Sequence, residues 1–213
     1  MFMYPRAILV NLLVILIILA GVAAAAYYYY QAANYIKTDN AQVSGQQITI
    51  APPVAGKLVD WKADVGDSFN AGNTLGSVVS GGTRTNITIP ANGTVVQETA
   101  VNNSIVGAGT PVARAYDMHN LWVTANMEET LIRDLQVGQS VDVTIDAFPD
   151  TVVSGKVNRI GLATSGTFSL LPSSNTTANY TKVTQVIPVE ITIQGYEGLG
   201  IVPGMSATVK VHK

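Results

Sequence analysis

Apolar and polar residues alternate along this chain in two distinct regimes. From Ala7 to Ala26 only Asn11 is polar in a run of twenty residues. At about 1.5 Å per residue, such a run spans roughly 30 Å as a helix, the thickness of a bilayer's hydrocarbon core. Four consecutive tyrosines, Tyr27, Tyr28, Tyr29 and Tyr30, follow it, and Tyr35 comes soon after. Tyrosine prefers the membrane–water interface, where the ring is half buried and the hydroxyl is wet. These four are therefore the expected membrane-interface residues. Ala24-Ala25-Ala26 resembles a signal-peptide cleavage site, but a cleavable signal needs an apolar core of only about 7–15 residues. The expectation is an uncleaved, single-pass anchor in the cell (inner) membrane. Arg6 and the amino terminus lie on its cytoplasmic side and the bulk of the chain outside.

Beyond Tyr35 the pattern changes to short alternating runs that predict strands at 47–50, 57–61, 74–79, 85–89, 94–97, 121–125, 140–145, 152–160, 183–193 and 207–211. Val65-Gly66-Asp67, Ala91-Asn92-Gly93 and Pro203-Gly204 are turn signals between them. One short helix is expected after Asn126, with Asn126 as cap and Glu129 as its capping-box partner. Met127, Leu131, Ile132 and Leu135 would share its buried face, and Gly138 would lie past its end. The chain also repeats itself. Ile48–Val79 and Ile87–Tyr116 align with Gly56 on Gly93, Phe69 on Val106, Gly72 on Gly109 and Leu75 on Val112, all 37 positions apart. Two such halves, each strand–turn–strand–turn–strand, predict a flattened β-sandwich.

Composition narrows the function classes. Charged residues are 12% of the chain, about half the usual share, and the formal net charge is −2. No basic stripe is available to neutralise phosphates, which excludes nucleic-acid binding as the expected role. With no cysteine, disulfides, thiol catalysis, thiolate zinc sites and a lipid-modified cysteine are ruled out. His119 and His212 are the only histidines and are far apart in sequence. No Gly-x-Ser-x-Gly elbow, phosphate loop or helical His-x-x-x-His occurs. No catalytic, cofactor-binding or metal-binding residue is assigned, and the chain is expected not to be an enzyme. Asp142, Asp146 and Asp150 are read as solvated carboxylates. The five Asn-x-Ser/Thr triplets at Asn86, Asn92, Asn102, Asn175 and Asn179 are read as turn chemistry. The stretch 163–181 interrupts the β pattern with Gly, Ser, Thr and Asn yet carries apolar groups. It is either a loop folded back on its own domain or a contact surface for a transporter or a neighbouring copy. On the second reading the contact residues are Phe168, Leu170, Leu171, Asn175, Asn179 and Tyr180.

The repeat resembles the biotinyl/lipoyl domain. Carriers of that family attach the cofactor to a lysine at the hairpin between the halves. Here that linker reads Ser-Gly-Gly-Thr-Arg-Thr-Asn over 80–86, and Lys57 and Lys62 fall inside the first half. The resemblance therefore implies the scaffold without lipoate or biotin. The segments TDNAQVSGQQITIAPPVAGKLVDWKADVGDSFNAGNTL, DMHNLWVTANMEETLIRDLQVGQSVDVTIDAFP, FSLLPSSNTTANYTKVTQVIPVEITI and PGMSATVKV, in this order, are similar to membrane fusion proteins of the HlyD type, most like the EmrA branch. That resemblance implies a mainly β fold in four parts. They are a stub and transmembrane anchor (1–34), a leading strand that joins the barrel (35–46), a lipoyl-like sandwich (47–117) and a β-barrel with one short helix (118–213). It implies a non-enzymatic periplasmic adaptor of drug efflux, working with an inner-membrane transporter, preferably of the major facilitator type, and assembling as a homo-oligomer such as a hexamer. Members that reach an outer-membrane channel insert a long coiled-coil hairpin between the lipoyl halves. Seven residues cannot form it, so direct docking on such a channel is not expected. The alternatives are an adaptor for ATP-driven peptide or bacteriocin secretion, and a membrane-anchored wall- or carbohydrate-binding β protein.

Overall fold

The computed structural model describes residues 5–168 and 184–213. Helix α1 runs Pro5–Asn34. Proline is tolerated in the first turn because its missing N–H would be unpaired there anyway. The Leu, Ile and Val side chains between Val10 and Val22 are exposed around the whole helix circumference. Val10–Gln31 is long and apolar enough to cross a membrane. The helix closes with the Asn34 side-chain amide donating to the Tyr30 carbonyl at 2.8 Å.

Twelve strands follow: β1 Tyr35–Ile50, β2 Gly56–Val59, β3 Ser68–Phe69, β4 Thr74–Ser80, β5 Thr83–Thr88, β6 Gly93–Glu98, β7 Ile105–Val106, β8 Ala113–Glu128, β9 Ser140–Ile145, β10 Val152–Ile160, β11 Val186–Gln194 and β12 Ser206–His212. Strands β1, β12, β9, β10, β11 and β8 pair in that order and close back on β1, a six-stranded antiparallel barrel. Closure removes the free edges an open sheet would expose. The period-2 pattern places Val141, Val143 and Ile145 of β9 and Ala207, Val209 and Val211 of β12 inside, where they pack with Val43, Val123, Val157 and Ile191. A second core, built on Ile50, Leu58, Leu75, Val78, Ile87, Ile89 and Val95, fills the sandwich. One sandwich sheet has the order β5-β4-β2-β7; the other uses the far parts of β1 and β8 with β6 and β3.

The 37-residue repeat is visible bond by bond. Gly56 pairs with Val106, and its equivalent Gly93 pairs with Phe69, the equivalent of Val106. Leu58 N–H donates to Ser104 and Asn103 N–H to Leu58; Val95 N–H donates to Asp67 and Gly66 N–H to Val95. Each half thus completes the other's sheet, the arrangement of an internal two-fold. Gly56 is required by close approach, because a Cβ there would collide with the carbonyl oxygen of Val79. The halves are joined by a two-residue hairpin. Ser80 pairs with Thr83, and Gly81 and Gly82 both have positive φ, 54° and 82°, as a type I′ turn requires.

Two expectations are corrected here. Asn126 does not cap a helix: it lies within β8, and its side-chain amide donates to Asn40 Oδ1 at 3.1 Å. Pairing of β8 with β11 continues through Glu128 opposite Val186, so sheet hydrogen bonds override the capping-box pattern. The helix that remains is a 3-10 segment, Glu129–Asp134, without a side-chain cap. Leu131 and Ile132 still pack against the barrel core. Asp142 is not merely solvated, since its carboxylate meets His212 Nε2 at 2.9 Å. A second 3-10 turn spans Ser165–Phe168.

Candidate functional site

The most organised polar cluster lies where α1 meets the barrel. No linker separates the two, as α1 ends at Asn34 and β1 starts at Tyr35. The last strand secures this junction. Tyr35 stands opposite His212 in register, and Lys213 N–H donates to the Asn34 carbonyl at 2.9 Å. The Tyr35 ring meets the His212 ring edge-on at 5.0 Å and carries Lys210 Nζ over its face at 3.7 Å. Asp142 of β9 holds His212, and Asp134 of the first 3-10 segment holds Lys213 Nζ at 3.1 Å. The Lys213–Asp134 ion pair contributes about 0–1 kcal/mol and the cation–π contact about 0.5–1 kcal/mol. Together they tie the last strand to β1, β9 and the first 3-10 segment beside the point where the helix leaves the barrel.

The same end of the barrel carries the flanks of the 163–181 stretch. Glu129 N–H donates to the Gln185 carbonyl at 3.0 Å, tying the start of the 3-10 segment to the return of the chain into β11. Phe168 ends the second 3-10 turn. Leu170, Leu171, Asn175, Asn179 and Tyr180 lie outside the described residues. Tyr27, Tyr28, Tyr29 and Tyr30 are in the last turns of α1, all exposed, with Tyr27 accepting a bond from the Gln31 amide.

Between barrel and sandwich, β1 and β8 break register together. Gly45 faces Leu121 while Gln47 faces Tyr116, so Asp117–Asn120 bulge out of β8. Asp117 organises the bulge, accepting from the His119 N–H and the Asn120 amide. His119 is exposed on this bulge, between the two units. Beside it lies a recess of about 380 Å3, whose lining includes Val65, Val96, Tyr116, Met118, Val202 and Pro203. Sequence reasoning missed both the junction cluster and this recess. Gly45 was the available signal for the recess, since a Cβ there would press on Leu121 and Tyr116. Among the described residues no three His, Cys, Asp or Glu side chains gather as a metal site would require.

Comparison with known proteins accounts for this architecture. Residues 46–117 match the YhbJ barrel-sandwich hybrid domain, and residues 120–212 match the AAEA-like β-barrel domain. Over 208 residues the chain is 45% identical to YhbJ of Bacillus subtilis (strain 168), a candidate efflux system component by its name, covering 98% of this chain and 93% of that one. It belongs to the membrane fusion protein family of efflux adaptors. Membrane fusion adaptors of this family are not enzymes. The multidrug export protein EmrA of Escherichia coli (strain K12) is 35% identical over 132 residues, which are 61% of this chain and 34% of EmrA. The match thus spans about a third of EmrA's own length. The solved structure of the periplasmic adaptor protein EmrA shares the fold, with a TM-score of 0.56 at 13% identity, covering 84% of this chain and 98% of that chain.

Proposed function

We propose that this membrane fusion protein is an anchored adaptor that works beside an inner-membrane transporter, preferably of the major facilitator type, as a homo-oligomer. The observation that carries the reading is the direct run of α1 into β1, secured by Lys210, His212 and Lys213. With α1 in the bilayer and Tyr27–Tyr30 at the interface, the barrel base rests on the membrane surface, where a transporter's outer face lies. Arg6 and the amino terminus remain in the cytoplasm, and both β units lie outside. The multidrug export function carried by EmrA's name supports drugs over peptides as the exported class. Only two residues join β4 to β5, so an outer-membrane channel is not part of this proposal.

The stretch holding Phe168, Leu170, Leu171, Asn175, Asn179 and Tyr180 is the proposed transporter contact, supported by its flanks at the end of the barrel from which α1 leaves. Co-purification from membranes with the transporter encoded beside it tests the reading. The intact chain should retain that transporter through detergent extraction, and Phe168→Ser with Leu170→Ser and Leu171→Ser should weaken retention without changing the circular dichroism of the β units. Unchanged retention would remove this stretch from the contact. No retention by the intact chain would count against the adaptor reading itself.

A further inference from the structure

The chain has two tryptophans, and they are used differently. Trp61 packs against the sandwich core, and its indole N–H donates to the Ala63 carbonyl at 2.8 Å. Trp122 lies between buried Leu121 and Val123 in β8, so the period of two turns its ring to the outer wall of the barrel. Its cross-strand neighbours there are Ser44 and Thr192, both small and polar. Among the described residues the Trp122 indole N–H has no acceptor, and no buried side-chain nitrogen or oxygen lacks a partner, so this group opens on solvent.

A bulge in β10 organises the wall beside it. Val157 faces Ile191 and Arg159 faces Glu190, so Asn158 is one residue in excess. A bulge re-aims side chains, and here Asn158 and Arg159, adjacent in sequence, both reach one carboxylate. Asn158 Nδ2 donates to Glu190 Oε1 at 2.7 Å, and the Arg159 guanidinium donates to Oε2 at 2.6 Å. The Glu190 side chain is 22% exposed and that of Arg159 76%, so the carboxylate is held close to the wall while guanidinium N–H groups remain open. Glu190 in turn faces Thr124, whose hydroxyl lies 3.0 Å from that of Ser44. A recess of about 430 Å3 opens over this row, and its lining includes Trp122, Thr124, Arg159, Glu190, Pro188 and Leu162. The Arg159 and Glu190 charges cancel, so the recess selects neither a cation nor an anion. It offers an aromatic ring, N–H donors on Trp122 and Arg159, and hydroxyl and carboxylate acceptors. Binding sites combine apolar walls with a few placed polar groups that fix orientation. A pyranose is complementary to this set, because its C–H face stacks on an aromatic ring and its hydroxyls both donate and accept. Pro188 and Leu162 supply the apolar rim that the methyl of an N-acetyl group would need.

We propose that this recess on the barrel wall is a saccharide site for N-acetylated amino-sugar chains, with Trp122 as the stacking platform and Arg159, Glu190 and Thr124 as hydrogen-bonding partners. Saccharide binding goes beyond the adaptor role. With both β units outside the membrane, the chains in reach are those of the cell envelope, and that source rests on the topology proposed above. Full-length chain purified in a detergent without a sugar headgroup provides the test, since alkyl glycosides would compete. In ligand-observed NMR, the N-acetylglucosamine tetramer should receive saturation transfer from the natural chain. Trp122→Ala should abolish the transfer, and Trp122→Tyr should keep most of it by retaining an aromatic face. Arg159→Ala, at an open position that leaves the circular dichroism unchanged, should weaken it. No transfer from the natural chain, or transfer from both the Trp122→Ala and the Arg159→Ala chains equal to the natural one, would overturn the site. Loss of the transporter from a Trp122→Ala chain during co-purification, with no transfer from the natural chain to the tetramer, would assign this wall to the transporter instead and overturn it equally. The readout is binding by the purified chain, so failure of the saccharide site leaves the adaptor role standing, and failure of the adaptor role leaves the site standing.

Discussion

A methyl group at Gly56 has nowhere to go, because the Val79 carbonyl occupies its place. Relief would require moving the backbone of a buried sheet, so Gly56→Ala should cost about 2–3 kcal/mol, in the range of an overpacked core. Gly109→Ala meets open space but holds φ at +74°, and left-handed strain alone should cost about 1 kcal/mol. Denaturant midpoints of the two variants in detergent would check the order, and a Gly56→Ala chain as stable as the natural one would contradict the packing described. Asparagine side chains also act at this scale. Asn92 Oδ1 accepts from the Ala71 N–H at 2.7 Å, and Asn102 Oδ1 from the Trp61 N–H at 2.9 Å. Both bonds cross from one half of the repeat to the other, at separations of 21 and 41 positions, so these two asparagines tie the halves together rather than closing a local turn.

Among the elements, β9 and β10 fall at the boundaries their alternation predicts, 140–145 and 152–160, because each has one face in the barrel core and one in water. The repeat was equally legible, since Gly56 and Gly93 mark equivalent close approaches in the two halves. The capping-box pattern at Asn126 misled, because the local preference of Asn and Glu is smaller than the sum of ladder bonds β8 gains by pairing on to Glu128. The full sixteen-residue lengths of β1 and β8 were also hidden. A bulge shifts the register between Gly45 and Gln47, so periodicity breaks although the strand continues. The junction cluster depends on Tyr35, Asp142 and Lys210, which are distant in sequence, and no local pattern announces it. At the hairpin, Gly81 and Gly82 occupy the turn where a carrier would present its lysine. Intact-mass measurement of the purified chain should therefore give the unmodified polypeptide, and an added lipoyl or biotinyl mass on Lys57 or Lys62 would contradict the scaffold reading.

For the molecule as a whole, anchor, barrel and sandwich form one continuous path. α1 passes into β1 without a linker, and β1 and β8 each run through both β units. Loss of the last-strand contacts should loosen the first of these connections. Removing Lys210 and His212 together by alanine substitution should broaden distance distributions between spin labels on α1 and on the barrel, with little change in the unfolding midpoint, since the partly exposed cation–π contact that is lost contributes only about 0.5–1 kcal/mol. An unchanged distribution would mean that backbone pairing alone sets the direction of the helix. Topology provides an independent check. The mature protein should retain its sequence from Met1 through Tyr30, and protease should reach the β units from outside only. A mature amino terminus at Tyr27 would refute the anchor.

The central claim is that this membrane fusion protein has no transport activity of its own and serves one pathway with a neighbouring transporter. Retention of hydrophobic dyes and drugs in cells lacking this chain, lacking that transporter, or lacking both tests it most directly. Equal sensitisation in all three strains is the predicted result. Unimpaired efflux in cells lacking only this chain, with efflux abolished in cells lacking the transporter, would contradict it.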